Sequence, residues 1–317
     1  MSPDPYAPCL LCPRACAVHR SGGETGFCGE TRIIRAACAL LHFGEEPPVT
    51  GPGGSGTVFF TGCTLRCRAC QNSQVSRNGF GAELSRDDLA RIFLRLQREG
   101  AGNVNAVTGT HFLPDIIDAW QAARARGLAI PLVWNSSGYE TVDAVRMLGP
   151  HVAFFLPDLK TLDPALAAFW FNAPEYPRAA TEAILAMAEA RPLERGPDGL
   201  PTRGVIVRHL VLPGKLEATR EVLAWFSGRL AGRALLSLMS QYTPIPGQTL
   251  PPPFDRGLTR GEWDTALAAL EELGIEDGFV QDLEPGTEWL PDFTRGRPFS
   301  SELSRMVWHA GDGEPTG

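Results

Sequence analysis

The chain contains no apolar run approaching the length needed to cross a bilayer, which excludes a membrane-spanning helical protein. Its first residues, MSPDPYAPCLLCPRAC, lack a basic start followed by a long apolar stretch. They do not read as a signal peptide, and a cytoplasmic location is expected. A basic excess is also missing: 29 Lys and Arg stand against 36 Asp and Glu, a formal net charge of -7. That balance disfavours a dedicated nucleic-acid binder, whose phosphate-tracking surface is usually basic. No cysteine follows residue 70, so the 8 cysteines are not scattered as a disulfide framework would be. In a reducing cytosol such crowding reads as metal binding. Disorder is excluded by a near-average composition, 44% hydrophobic and 21% charged. The 317 residues suffice for one large α/β domain with a small module, or for two domains.

What the chain does have is centred on TVFFTGCTLRCRACQN, residues 57–72. Val58, Phe59 and Phe60 are β-branched or aromatic and bounded by glycine, so they predict a short buried strand. The strand feeds a loop carrying Cys63, Cys67 and Cys70, spaced C-x3-C-x2-C. Three thiolates on so short a stretch can converge on one centre. A structural zinc wants four protein ligands, and so does an electron-transfer 4Fe-4S cluster with one cysteine per iron. Three leave one metal position open for a ligand that reacts. The alternative is a zinc knuckle completed by a distant residue.

Upstream, Cys9, Cys12, Cys16 and Cys28 are spaced C-x2-C-x3-C-x11-C in a turn-rich segment. Four cysteines can close a tetrahedral site. Zinc is the first choice, since so short a segment needs a staple to fold, and a second iron–sulfur cluster is the alternative. Cys38, left over inside AACALL, reads as a small core residue. A Pro/Gly-rich connector, 44–56, separates this module from the remainder of the chain. Its glycines make a weak phosphate loop, because no G-K-[ST] comes after them.

Beyond residue 80, strand-like and helix-like stretches alternate. Ser85 caps an amphipathic helix with Leu89, Ile92, Phe93 and Leu96 on one face and Gly100 as its stop. Strands are expected at NVNAVT, PLVWN, VAFFLPDL, GVIVRHLVL and LLSLMSQ. Helices are expected at LPDIIDAWQAARARG, ETVDAVRML, PRAATEAILAMAEA and EATREVLAWFSGRL. Such alternation predicts a parallel sheet with covering helices, which right-handed crossovers can curl into a barrel. After these come a proline-rich loop, 243–257, a helix at 260–274 and a short strand GFVQD, and the tail from Leu283 reads as irregular. Trp120, Met187, Trp225 and Met239 fall in apolar patterns and read as core.

The segment CTLRCRACQN resembles the cluster loop of the radical S-adenosylmethionine (SAM) superfamily. Over roughly residues 51–242 the chain is similar to the pyruvate formate-lyase activating enzyme-like branch, including uncharacterised members with an N-terminal four-cysteine segment. The resemblance implies a partial (β/α)6 TIM-like barrel of the radical SAM type with a small N-terminal cysteine-rich module. It also implies a 4Fe-4S cluster on Cys63, Cys67 and Cys70, with SAM on its open iron. The expected organisation is a cysteine-rich module and connector over 1–50, the core over 51–243 and a C-terminal extension over 244–317.

Predicted strand ends carry polar residues where α/β barrels place chemistry. Residue by residue, the resemblance puts Asn135, Ser136, Ser137 and Gly138 at a D-T-N-G-like segment close to SAM, and Asp158 and Lys160 at a D-x-K motif close to SAM or its associated cation. VRHLVLPG matches a segment near the cofactor or substrate, pointing to Arg208 and His209. Lys160 or Arg208 can pair with the SAM carboxylate, and Asp158 can accept from hydroxyls or hold a cation. One departure concerns G-G-E, whose glutamate helps hold the SAM amino group in the activating enzymes. Here that place reads VTGTHF, with no acid before Asp115. Thr108, Thr110 or His111 could offer a polar atom, although His111 also reads as a hydrogen-bonded structural histidine.

The activity implied is hydrogen abstraction by a 5'-deoxyadenosyl radical. The leading expectation is an activase for a glycyl radical enzyme, served by an electron donor such as flavodoxin or ferredoxin. The same machinery acting on a small molecule or another macromolecule is the second reading, because a shared fold does not fix a substrate. A non-catalytic zinc protein is the third.

Overall fold

In the computed structural model the described residues are 4–283, 290–300 and 302–313. Residues 1–3 of the cysteine-rich module and 284–289, 301 and 314–317 of the C-terminal extension lie outside the described residues. The strands are β1 (Ile34–His42), β2 (Ser55–Phe60), β3 (Ala82–Leu84), β4 (Val104–Val107), β5 (Leu132–Ser136), β6 (Val152–Pro157), β7 (Glu194–Arg195), β8 (Pro201–Leu210), β9 (Leu235–Met239), β10 (Gly278–Val280) and β11 (Ser304–His309).

The sheet runs β10-β9-β8-β6-β5-β4-β2-β1-β11, with β3 on β1 and β7 on β8. From β2 to β10 every neighbouring pair on this path is parallel, whereas β1 and β11 are antiparallel additions. Helices fill the crossovers as the alternation predicts. The helix Arg86–Arg98 shows why: Ser85 and Asp88 form a reciprocal capping box, and Asp87 and Asp88 open the first turn while Arg95 and Arg98 close the last. Both ends thus complement the helix dipole. Leu89, Ile92, Phe93 and Leu96 are completely buried. Each contributes about 1.5–3 kcal/mol relative to exposure.

Strand alternation sorts the side chains into two sets. Val58 and Phe60 point outward into the main core under the helices, while Phe59 points inward. Phe59, Val107, Asn135, Asp158, Arg208 and Met239, at or just beyond the ends of six parallel strands, line one common cavity. The sheet therefore curls around that cavity as a partial (β/α)6 barrel, open because its end strands β10 and β11 do not pair. A short helix, Pro47–Thr50, plugs the interior: its Val49 packs with Val133, Phe154, Leu156, Ile206 and Leu235.

Several elements escape the sequence reading. The connector 44–56 contains this plug helix and the start of β2, and AACALL is the centre of β1, where Cys38 is fully buried as expected. The tail, read as irregular, carries β11, which pairs with β1 through a register shift at Ala39/Leu40. Six residues with a bulged partner show too little alternation to be read as a strand. Met239, read as core, is half-buried and lines the cavity, because β9 ends with that side chain facing inward. Trp120 and Met187 are buried core residues, and Trp225 packs partly buried against the same main core. Among the described residues no helix is long and apolar enough to cross a membrane.

Candidate metal and cofactor site

Chain direction puts the cysteine loop at the C-terminal end of β2, immediately after Thr61 and Gly62. Gly62 has φ +73°, and a Cβ there would come within 2.8 Å of the Cys28 carbonyl oxygen, so only glycine permits this close approach. Cys63 is buried, and Cys67 and Cys70 line the cavity, whose volume is about 530 Å³. Burial pushes the Cys67 thiol up, and Cys70 and Cys63 add to this while Lys160 opposes it. Cys63 is likewise raised by burial and by Cys70. The three sulfurs therefore lie within electrostatic reach of one another, and binding a metal group must release their protons. The Leu65 amide donates to Cys63 Sγ (3.3 Å), a bond that favours the Cys63 thiolate, and the Ser76 hydroxyl donates to Cys70 Sγ (3.3 Å). Three soft donors, two of them on the wall of a cavity that also carries charged side chains, suit a 4Fe-4S cluster with one iron left open.

Opposite the loop stand three of the predicted strand-end segments. Lys160 Nζ pairs with Asp158 Oδ2 at 2.6 Å. Burial works against the Lys160 charge, but Asp158 and the nearby Cys67 more than offset it, so its pKa ends raised and the ammonium persists. Lys160 and Lys215 are the only lysines of the chain, which otherwise builds its cations from arginine. Asn135 joins Asp158 and Lys160 on the cavity wall. Ser137 is not on that wall; its carbonyl lies 3.0 Å from the Tyr176 hydroxyl. The same hydroxyl lies 2.8 Å from the Asp158 carbonyl and accepts from the Lys160 amide at 3.0 Å. Tyr176 thus clamps the two loops together, and a Cβ on Gly138 would sit 2.3 Å from the Asp158 oxygen.

Arg208 also lines the cavity, already engaged. Its Nε donates to Glu46 Oε1 at 2.8 Å and its Nη2 to Glu46 Oε2 at 2.5 Å and to Glu45. Burial opposes the Arg208 charge, but the two carboxylates override it and hold the guanidinium charged. Burial opposes ionisation of Glu46 as well, and Arg208 overcomes it to lower the carboxyl pKa. Asn105 donates to Glu45 at 2.9 Å. The sequence reading missed Glu45, Glu46 and Tyr176. A legible signal existed for the acidic pair: Glu-Glu before Pro-Pro marks the N-terminus of a short helix. Tyr176 carried none, since its role depends on two distant loops.

In the VTGTHF stretch two polar side chains find partners away from the cavity, and for His111 the structural reading holds. The Thr110 hydroxyl donates to buried Glu140 at 2.9 Å, and His111 Nε2 lies 2.6 Å from the Thr61 carbonyl. Neither lines the cavity, so both turn away from the place where a SAM contact was expected. His111 is structural: burial and Arg20 lower its pKa to about 3. A neutral ring donates through Nε2. His209 is also internal, lying 2.7 Å from the Leu159 carbonyl and 3.0 Å from Thr219 Oγ1.

Cys9, Cys12, Cys16 and Cys28 lie behind the cluster loop. None of them lines the cavity. Burial and the neighbouring Cys28, Cys16 and Cys9 push the Cys12 thiol up to about 12 despite a backbone hydrogen bond. The Phe27 amide donates to Cys16 Sγ at 3.3 Å. Among the described residues no three His, Cys, Asp or Glu side chains are already gathered around a single-ion position.

Comparison with known proteins supplies the remaining constraint. An uncharacterized protein, MJ0674 of Methanocaldococcus jannaschii, is 27% identical over 277 residues, covering 84% of this chain and 75% of the relative. The pyruvate formate-lyase-activating enzyme of Clostridium pasteurianum is 28% identical over 120 residues, 36% of this chain and 49% of that enzyme. Among solved structures, a radical SAM methyltransferase from Sphaerobacter thermophilus superposes with a TM-score of 0.49 at 15% identity, covering 71% of this chain and 65% of that one. The model of the radical SAM superfamily matches residues 57–225, from β2 and its three-cysteine loop into the helix Leu216–Leu230, and the chain belongs to that superfamily.

Proposed function

We propose that Cys63, Cys67 and Cys70 hold a 4Fe-4S cluster and that the adjoining cavity receives SAM and a hydrogen-donating substrate. The observation that carries this reading is the set of three thiols, two of them on the rim of a cavity that also holds the Lys160–Asp158 pair and Asn135. The chemistry that such a cluster and SAM supply when bound is reductive cleavage to methionine and a 5'-deoxyadenosyl radical. This chain's residues then have distinct tasks. Lys160 offers a half-buried ammonium on the cavity wall to the SAM carboxylate, and Asp158 fixes that ammonium or accepts from hydroxyls. Asn135 completes the cofactor wall, and the Ser137 loop that follows it, off the wall itself, is held in place by Tyr176. Arg208 belongs to the same wall through its glutamates.

Cys9, Cys12, Cys16 and Cys28 hold a metal of their own in this reading, zinc first and a second iron–sulfur cluster as the alternative. The domain division is likewise part of the proposal: module and connector 1–50, core 51–243, extension 244–317. The 120-residue match to an activating enzyme supports a glycyl radical enzyme as substrate protein; flavodoxin or ferredoxin as electron donor and a cytoplasmic setting are further parts of the proposal. A second reading, a small-molecule substrate, is favoured by the cavity wall itself. Gln281, Asp282, Pro291, Phe299 and Leu303 of the extension narrow the space a peptide loop would need.

The test is anaerobic reconstitution with iron and sulfide, then reduction and assay of 5'-deoxyadenosine from SAM. Cluster-dependent product is expected. A colourless protein that binds zinc alone and leaves SAM intact would sink the reading.

A further inference from the structure

The cavity does not explain why the four-cysteine segment is built against the back of the cluster loop. Residues 62, 63, 64 and 66 of the loop each meet that segment. The Cys63 amide donates to the Cys28 carbonyl at 3.3 Å. Arg14 Nε donates to the Thr64 carbonyl at 3.0 Å, and Arg66 Nη1 to the Phe27 carbonyl at 3.3 Å. Gly62 lies against Cys28 and Glu30. The Arg14 guanidinium also stacks 3.7 Å from the Phe27 ring centroid, and its other nitrogens donate to the Asn172 and Phe171 carbonyls at 2.6 Å each. Buried Arg20 donates to the Glu30, Thr31 and His111 carbonyls, and His111 in turn bonds Thr61. Arg66 itself adopts φ 51° in the left-handed region. So unfavourable a backbone conformation persists only where surroundings over-determine it.

The segment has little regular structure to hold this docking surface: it contains one 3-10 turn, Arg20–Gly22, and Ala15 and Ala17 have positive φ. We infer that the four-cysteine segment is the positioning element of the three-cysteine loop. When its own thiolates are tied together by metal, it fixes residues 62–66 in the conformation that accepts the cluster. Arg14 and Arg66 are the positioning residues across the boundary. This rests on the cluster reading proposed above and adds a loading order: the N-terminal metal first, the core cluster second.

The test counts iron, sulfide and zinc per full-length chain after anaerobic reconstitution and records the electron paramagnetic resonance spectrum of the reduced protein. Cys67→Ala reports the N-terminal metal by itself. In Cys16→Ser the affinity of the core site for iron should fall about 10-fold or more, the range seen when groups supporting a metal site are lost, and core iron per chain should fall with it. Arg14→Ala keeps all seven candidate ligands and should retain the N-terminal metal while core iron falls and the spectrum changes. Arg14→Lys should restore only part of the iron, because a lysine cannot bond three carbonyls through a planar fork. Should Cys16→Ser fail to fold by circular dichroism, Arg14→Ala still decides. Unchanged core iron and spectrum in folded Cys16→Ser or in Arg14→Ala overturns the proposal. So does wild-type protein that carries core iron without metal on the four cysteines, an outcome that leaves the cluster reading intact. Wild type without core iron defeats the cluster reading itself, and this proposal with it.

Discussion

The two cysteine groups are sequence neighbours with opposite surroundings. Cys67 and Cys70 share a cavity with Asn135, Asp158 and Lys160, whereas Cys9, Cys12, Cys16 and Cys28 sit outside it among backbone groups, Phe27 and Arg20. The contrast teaches that the number of ligands and the neighbourhood go together. Four thiols can satisfy a metal completely and need no access, while three leave a position that has value only if something reaches it. Access also sets the electrostatics. The three-cysteine group has a lysine ammonium on the cavity side, available to compensate thiolate charge or a ligand carboxylate.

Replacing one cysteine of each group sharpens this comparison with the largest effect. Cys67→Ala should abolish 5'-deoxyadenosine formation and remove core iron while leaving the N-terminal metal count at its wild-type value. Parallel loss of both metals in Cys67→Ala would show that the groups cannot be separated in this direction. Lys160→Met comes next. It removes a charge-assisted contact of about 1.5–3 kcal/mol, so SAM affinity should fall about 10–100-fold in calorimetry of reconstituted protein, with iron content unchanged. An unaltered affinity would remove Lys160 from the cofactor wall.

Arg208→Met tests stability more than binding. It strands Glu45 and Glu46 in a buried setting, and unfolding in urea should reveal a loss of about 3–5 kcal/mol. The triple variant Glu45→Gln, Glu46→Gln, Arg208→Met should recover much of it, because no buried charge then lacks a partner. The smallest effect is a pH dependence. Burial lowers the His209 pKa from 6.5 to about 4, against a favourable bond to the Leu159 carbonyl. Between those values the unfolded chain binds the extra proton. His209 therefore contributes stability that is complete above about pH 6.5 and is lost as pH falls toward 4, by about 1.4 kcal/mol per pH unit. In His209→Gln that component of the stability profile should disappear; a profile identical to wild type counts against the assignment.

Much of the fold was legible because long helices announce themselves. The Ser85 cap, the four apolar residues of its helix face and the apolar runs, part β-branched and part aromatic, at β2, β5 and β6 all agree locally with the final architecture. What escaped were elements whose formation depends on partners. β11 exists because β1 presents an edge to it, and the helix Pro47–Thr50 exists where the barrel interior needs a plug. At the site, Asp158 and Lys160 stood in a readable motif, but the direction of Thr110 and His111 did not. Glu140 and the Thr61 carbonyl draw them away from the cavity, and neither partner is near them in sequence.

By itself the sequence determined the chemistry on offer: three clustered thiols after a buried strand, four more upstream, one of only two lysines placed two residues from an aspartate, and a parallel α/β alternation. Those features depend on residue type and short spacing, which chain geometry alone constrains. Tertiary structure decided which groups meet. Arg208 lies 162 residues from Glu46, Arg14 lies 50 residues from Thr64, and Tyr176 clamps two loops that precede it. Such pairings arise only when the strands curl and their ends converge, because each is fixed by the packing of the whole sheet and not by any local preference.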